Sequence, residues 1–216
     1  MNFEHARFNM IEQQLRPAQV LDEKVLKLLA LARREEFVPP AWRHLAYAQT
    51  EIPLGHGAKM FTPLLEARAL QALALRPHET ILEIGAGSGF MAALLAIHAE
   101  HVRTIEIEPE LAALARSNLQ RAGMRNVQVE TGDGLQGLAA QAPFDVIMVS
   151  GGVAEVPAAL LDQLKPGGRL FAVVGAAPAM QATLVRRQDK HFQSVALFET
   201  VVDYLRGAES PPEFVF

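Results

Sequence analysis

The chain predicts an α/β protein: a doubly wound, mostly parallel sheet with an antiparallel C-terminal strand pair and an N-terminal helical extension. Three observations predict it. From Glu79 onward, short β-branched runs alternate with longer helical ones, the pattern of parallel strands covered on both faces. The first of those runs passes straight into a glycine-rich turn, Gly85-Ala-Gly-Ser-Gly89, and then into an apolar helix. After Val174 two strand-like runs follow one another with no convincing helix between them.

The elements follow in order. Phe8–Leu15 has apolar residues at helical spacing and stops before Pro17. Leu21–Arg33 is a second helix with Val25, Leu28 and Leu29 on its apolar stripe, ended by Val38-Pro-Pro40. Trp42–Ala48 is short and reads either way. Ile52–Pro63 reads as a glycine-bent loop, and Leu64–Leu75 as a helix. Strands are predicted near Thr80–Ile84, Val102–Ile107, Val127–Glu130, Phe144–Val149 and Arg169–Val174. Helices are predicted over Phe90–His98, Pro109–Ala122, Leu135–Ala140 and Pro157–Leu164. Ala182–Gln188 and His191–Val202 form the antiparallel pair at the sheet edge. The tail ends in Phe214-Val-Phe216, apolar enough to cover either the core or a partner. Residues 1–78 are expected as the helical extension and active-site loop and 79–216 as the ligand-binding core, together one domain.

Composition narrows the function. The chain has 216 residues, half of them hydrophobic, and no cysteine, so disulfides and thiolate metal sites are excluded. A net charge of −4 without basic runs gives no electrostatic reason to expect nucleic acid. Neither a secretory signal nor a run of about 18 apolar residues is present, so no membrane is expected and the protein reads as cytoplasmic. The histidines are scattered, without the i, i+4 pairing of zinc-binding helices, and no metal is expected.

The chemistry concentrates at strand ends. Gly85, Gly87 and Gly89 let the main chain approach a ligand, with helix N-terminal amides facing it. The dinucleotide fingerprint requires its third glycine where Phe90 stands. Glu83, two places before the turn, repels a pyrophosphate but suits an ammonium group. Both features argue against a nicotinamide-dependent oxidoreductase. Glu106 ends the second strand roughly 20 residues after Gly85, where a carboxylate accepts from both ribose hydroxyls. Gly132-Asp133-Gly134 follows the third strand, where a carboxylate accepts from an adenine amino group. Any one of these acids alone is equally well a solvated strand-end residue; three in register are not.

This arrangement resembles the class I S-adenosylmethionine-dependent methyltransferases, a Rossmann-like fold. Over about three quarters of its length the chain resembles the protein-L-isoaspartate (D-aspartate) O-methyltransferase family. The matching stretches are Met10-Ile-Glu-Gln-Gln-Leu-Arg16, Phe37–Tyr47, Ile52–Gly57, Ile81–Phe90, Ile105–Ile107, Gly132–Gly134 and Phe144–Ile147. The resemblance implies methyl transfer from S-adenosylmethionine, leaving S-adenosylhomocysteine, to the α-carboxyl of isoaspartyl residues in damaged protein, a repair reaction. It also implies a cofactor site at Glu83, Gly85, Ala86, Gly87, Ser88, Gly89, Glu106, Ile107, Asp133 and Gly134.

The chain departs from the family pattern on the substrate side. Where the family carries Gln-Thr-Ile-Ser, this sequence reads Ala58-Lys59-Met60-Phe61, so Phe61 stands at the family's active-site serine and Lys59 at its threonine. Thr62 offers a hydroxyl one residue late. Lys59 either binds a ligand carboxylate or is a solvated lysine; His56 either meets a ligand or orders the loop; Phe61 packs. Val149-Ser-Gly-Gly-Val153 replaces an alanine-rich turn. The acceptor is therefore an isoaspartyl protein or peptide, or a different, small-molecule acceptor. A third reading is a non-catalytic S-adenosylmethionine-binding protein.

Overall fold

Local capping sets the N-terminal helices in the computed structural model, which describes residues 2–189 and 191–209. Asn2 accepts from the His5 amide at 3.1 Å and starts α1 (Phe3–Met10), which a single π-helical turn, Ile11–Leu15, extends. Asp22 accepts from the Lys24 amide at 2.8 Å and starts α2 (Glu23–Leu31). The first helix thus begins earlier than its apolar spacing predicts, and the second is trimmed at both ends by its caps. Pro40–Leu45 forms 3₁₀ turns.

Ile52–Pro63 corrects the expectation of a loop. Its first nine residues are a hairpin: β1 (Ile52–Gly55) pairs antiparallel with β2 (Ala58–Met60). His56 and Gly57 form the two-residue connection at φ +53° and +79°, the dihedrals of a tight primed turn. Of the two glycines that bend this stretch, Gly57 belongs to the turn and Gly55 ends β1 at φ +91°. Helix α3 (Pro63–Leu73) follows at once, with proline in its first turn.

The main sheet has seven strands in the order β5-β4-β3-β6-β7-β8-β9. These are β3 (Thr80–Ile84), β4 (His101–Glu106), β5 (Val127–Thr131), β6 (Phe144–Val153), β7 (Leu164–Val174), β8 (Gln181–Gln188) and β9 (His191–Glu199). The first five in this order are all β3 to β7 and run parallel. β8 and β9 pair antiparallel at the edge, as the sequence predicts. Helices α4 (Phe90–His98), α5 (Pro109–Arg121) and α6 (Ala158–Asp162) connect strands. The chain enters at the central β3, moves out to β5, then returns to β6 on β3's other side. That reversal opens a crevice at the carboxyl ends of β3 and β6.

Two predicted helices are corrected. Residues 135–140 form turns: Gly137 sits at φ +65°, and the Gln163 side chain accepts from the Leu138 amide at 2.7 Å while donating to the Gln136 carbonyl at 2.8 Å. The helix expected over Pro157–Leu164 shrinks to α6, because β7 already begins at Leu164. β6 also outruns its prediction and continues through Ser150-Gly151-Gly152.

The N-terminal helices and the sheet share one apolar core, in which Leu15, Leu28 and Leu73 join Leu94, Val146 and Phe171. Two ion pairs are buried within this frame. Arg169 reaches Glu79 at 2.7 and 2.9 Å and also caps the end of α3 through the Leu73 and Ala74 carbonyls. Arg34 grips both oxygens of Glu66 on α3 and donates to the Phe61 carbonyl at 2.6 Å. Among the described residues no helix is long and apolar enough to cross a membrane. Phe214-Val-Phe216 lies outside the described residues.

Candidate active site

A cleft of about 280 Å³ opens at the carboxyl ends of β3, β4, β5 and β6. Its floor is the glycine turn. Gly85 stands at φ +91° with its amide donating to the Ile105 carbonyl at 2.8 Å. A Cβ there would lie 3.0 Å from Leu205 in a backbone conformation that side chains disfavour. The chain therefore passes under the cleft with nothing projecting into it.

Glu106 is the best-anchored acid in the cleft. One carboxylate oxygen accepts from the Gly87 amide at 2.8 Å and the other from the Glu108 amide at 3.1 Å. Backbone amides thus fix both oxygens before any ligand arrives, and each keeps a lone pair for a further donor. Asp133 lies across the cleft, exposed, with one oxygen held by the Leu135 amide at 2.9 Å. Ile107 and Gly134 also line the cleft.

The remaining turn residues divide. Glu83, Ala86 and Ser88 do not line the main cleft but a smaller inner cavity of about 30 Å³, enough for roughly one water. Lys59, Gly85, Gly87 and Ser150 border both spaces, so the inner cavity is an annex of the cleft. Glu83 is fully buried, accepting from Thr104 at 2.6 Å and Ser150 at 2.8 Å. Gly89 lines neither space. A Cβ on it would lie 3.2 Å from the Ala115 backbone, so its part is to let α4 pack against α5.

The hairpin roofs the cleft. His56 meets Glu110 at 2.9 Å and Glu108 at 3.7 Å, both at the start of α5, so it fastens the hairpin across the opening. Lys59 reaches Glu51 at 3.3 Å and Asp203 at 2.8 Å, which makes it neither a free cation nor a purely solvated one. Phe61 is 8% exposed and walls the inner cavity. Thr62 caps α3: its hydroxyl accepts from the Leu65 amide at 3.3 Å. Thr62→Ala should cost ~1 kcal/mol of stability, a fall in Tm of ~2–4 °C, with ligand affinity unchanged. Thermal unfolding with and without ligand measures both.

Sequence reasoning missed the far wall. Tyr204, Leu205, Arg206 and Glu209 line the cleft. This segment runs beside the end of β6, with the Gly152 amide donating to the Asp203 carbonyl and the Leu205 amide to the Gly152 carbonyl, each at 2.8 Å. A Cβ at Gly151 would lie 2.6 Å from Leu205. The Gly151-Gly152 pair is thus the trace in the sequence of a segment that passes close by.

The site is a strand-end crevice lined by Glu106, Asp133 and the glycine turn. A sequence model of the family described as Protein-L-isoaspartate(D-aspartate) O-methyltransferase (PCMT) matches residues 6–205. The chain belongs to this family. Among curated isoaspartate O-methyltransferases, the protein of Koribacter versatilis is 45% identical over 88% of this chain and 86% of its own length. That of Marinobacter nauticus is 40% identical over 94% of both. A solved structure named protein-L-isoaspartate O-methyltransferase superposes with a TM-score of 0.80 at 27% identity, covering 94% of this chain and 66% of that one. A putative isoaspartate O-methyltransferase from Plasmodium falciparum, solved with S-adenosyl-L-homocysteine, also reaches 0.80, at 19% identity over 95% of this chain. It speaks for the fold. The mostly parallel sheet with its antiparallel edge pair is the fold these structures share with the chain.

Proposed function

We propose that this protein is an S-adenosylmethionine-dependent methyltransferase that esterifies the α-carboxylate of isoaspartyl residues in protein or peptide. The observation that carries the cofactor half is Glu106, with both oxygens pre-aimed by the Gly87 and Glu108 amides into a cleft whose floor is side-chain-free. Glu106 would hold the ribose hydroxyls, Asp133 the adenine amino group, and Glu83 the ammonium group through the inner cavity. Gly85 and Gly87 allow the close approach, and Ile107 and Leu111 supply apolar walls.

The bound cofactor supplies an electrophilic methyl group on a sulfonium that is already a good leaving group. What the chain must add is position. A carboxylate acceptor, with a pKa of about 4, is ionised at neutral pH, so no general base is required. In support, His56, the one histidine at the cleft among the described residues, is committed to Glu110 and Glu108. The hairpin and the Tyr204–Glu209 segment close over the strand ends and limit water. Phe61 and Met60, both buried, hold the hairpin against the core, so loss of the family's loop hydroxyl leaves a packed wall rather than a gap.

Incubation with an isoaspartyl peptide and methyl-labelled cofactor tests the reading. Base-labile label should appear on the isoaspartyl peptide and not on the same peptide with ordinary aspartate. Equal labelling of both, or of neither, would remove the isoaspartyl assignment.

A further inference from the structure

Glu83 sits in a place where a carboxylate is hard to keep charged. It is fully buried, and its two oxygens accept only from the hydroxyls of Thr104 and Ser150. Among the described residues no lysine, arginine or histidine pairs with it. The ionisable groups around it come from four elements. Glu106 at the end of β4 and Glu66 on α3 are both acids that disfavour a second negative charge. Arg34 is spent on Glu66 and the Phe61 carbonyl, and Lys59 on Glu51 and Asp203. His56, at the hairpin tip, is fastened to Glu110 and Glu108. Yet Glu83 borders a cavity that opens past Ser150 into the ligand cleft. A buried acid without a countercharge, facing a space that accepts a ligand, is a socket for a cation.

We infer that Glu83 carries a proton in the free protein and releases it to solvent when the ligand's ammonium group enters the inner cavity, so that cofactor binding is coupled to proton release. The inference rests on the assignment of the cleft to S-adenosylmethionine and its product. Physically, the ammonium replaces the proton as Glu83's countercharge, and no net charge is added to the interior. Burial, with the fields of Glu106 and Glu66 behind it and the Thr104 and Ser150 hydroxyls opposing, pushes the Glu83 carboxyl up to about 8. The site is therefore mostly neutral at pH 7 and mostly ionised only in more alkaline solution.

The sign of the stability effect follows. A carboxyl whose folded value is raised binds more protons folded than unfolded, so its contribution to stability falls as pH rises from about 4.5 through about 8. Glu83→Gln copies the neutral form and lacks this loss. Its Tm should gain on that of the natural protein as pH rises from 5 to 8.

Calorimetric titration of the full chain with S-adenosylhomocysteine tests the coupling directly. At pH 7, comparison of phosphate and Tris buffers, which differ in protonation enthalpy, should reveal release of about one proton per site. Affinity should rise by about tenfold per pH unit from 6 to 8 and then level. Glu83→Gln should bind without proton release and without that slope. Where this variant does not fold, Ser150→Ala retains the carboxyl but removes one donor to its charged form, and should move the levelling point to higher pH. Binding with no proton release, or a slope that persists in Glu83→Gln, would overturn the inference alone. Absence of S-adenosylhomocysteine binding at every pH would instead overturn the cofactor assignment beneath it.

Discussion

Replacing Glu106 with alanine should weaken S-adenosylhomocysteine binding by about 100-fold, some 2–3 kcal/mol. The magnitude follows from what one side chain does. Its oxygens accept from the Gly87 and Glu108 amides, and in the proposed site they also accept from the ribose hydroxyls. Alanine leaves those amides and the ribose hydroxyls to find water in a half-closed cleft. Hydrogen bonds to a charged acceptor are the stronger kind. A ligand that binds only the folded state raises Tm in proportion to RT ln(1 + [L]/Kd). The upward shift that saturating S-adenosylhomocysteine gives the natural protein should nearly vanish in Glu106→Ala at the same concentration. A full shift retained by the variant would move the ribose site elsewhere.

Arg34→Ala should be the most damaging single change to stability, costing ~3–5 kcal/mol and lowering Tm by ~10 °C. Arg34 and Glu66 are 2% and 3% exposed at their side chains, and the guanidinium also lies 5.0 Å from the centre of the Phe90 ring. Removing it strands a carboxylate in the core and frees the Phe61 carbonyl at the root of the hairpin. The pH dependence has a definite sign. Burial already draws the Glu66 carboxyl up to about 7, against the opposite pull of Arg34. Its contribution therefore falls as pH rises from about 4.5 through 7. Without Arg34 the carboxyl rises further, so the deficit should be larger at pH 8 than at pH 5. Arg34→Met with Glu66→Leu should recover much of the loss, since a buried pair contributes little over apolar side chains of similar volume. Chemical denaturation of the single and double variants at both pH values measures this.

The sequence told the parallel core from everything around it for a physical reason. β3 is Thr80-Ile-Leu-Glu-Ile84, buried almost throughout, and a short β-branched run ending in a glycine turn and an apolar helix has few other structures open to it. The same geometry made Glu106 and Asp133 visible, because a parallel sheet sends every strand's carboxyl end to one face. The hairpin was not visible. Its strands have four and three residues, too short for alternation to register, and its turn relies on a histidine at positive φ. The Leu135–Ala140 helix failed because a distant side chain, Gln163, claims the backbone groups a helix would use. Lys59 was ambiguous in sequence because its partners, Glu51 and Asp203, come from two parts of the chain. The Tyr204–Glu209 wall has no period at all, and only the Gly151-Gly152 pair betrays its approach.

Glu83 marks the limit of such a reading. Its place before the glycine turn suggested a ligand's ammonium group as its partner. Its isolation behind Ser150, with other acids for neighbours, is set by the fold, and the proposed proton exchange rests on it.

Catalysis by position rather than by a loop hydroxyl is tested at the hairpin root. Lys59→Thr, Met60→Ile and Phe61→Ser together install the family's Thr-Ile-Ser, and the rate of isoaspartyl methyl-ester formation is compared with that of the natural protein. The natural protein should already methylate the isoaspartyl peptide, and the triple variant should be no faster, and less stable because Phe61 and Met60 are buried. An inactive natural protein that gains isoaspartyl methylation from the three substitutions would contradict it.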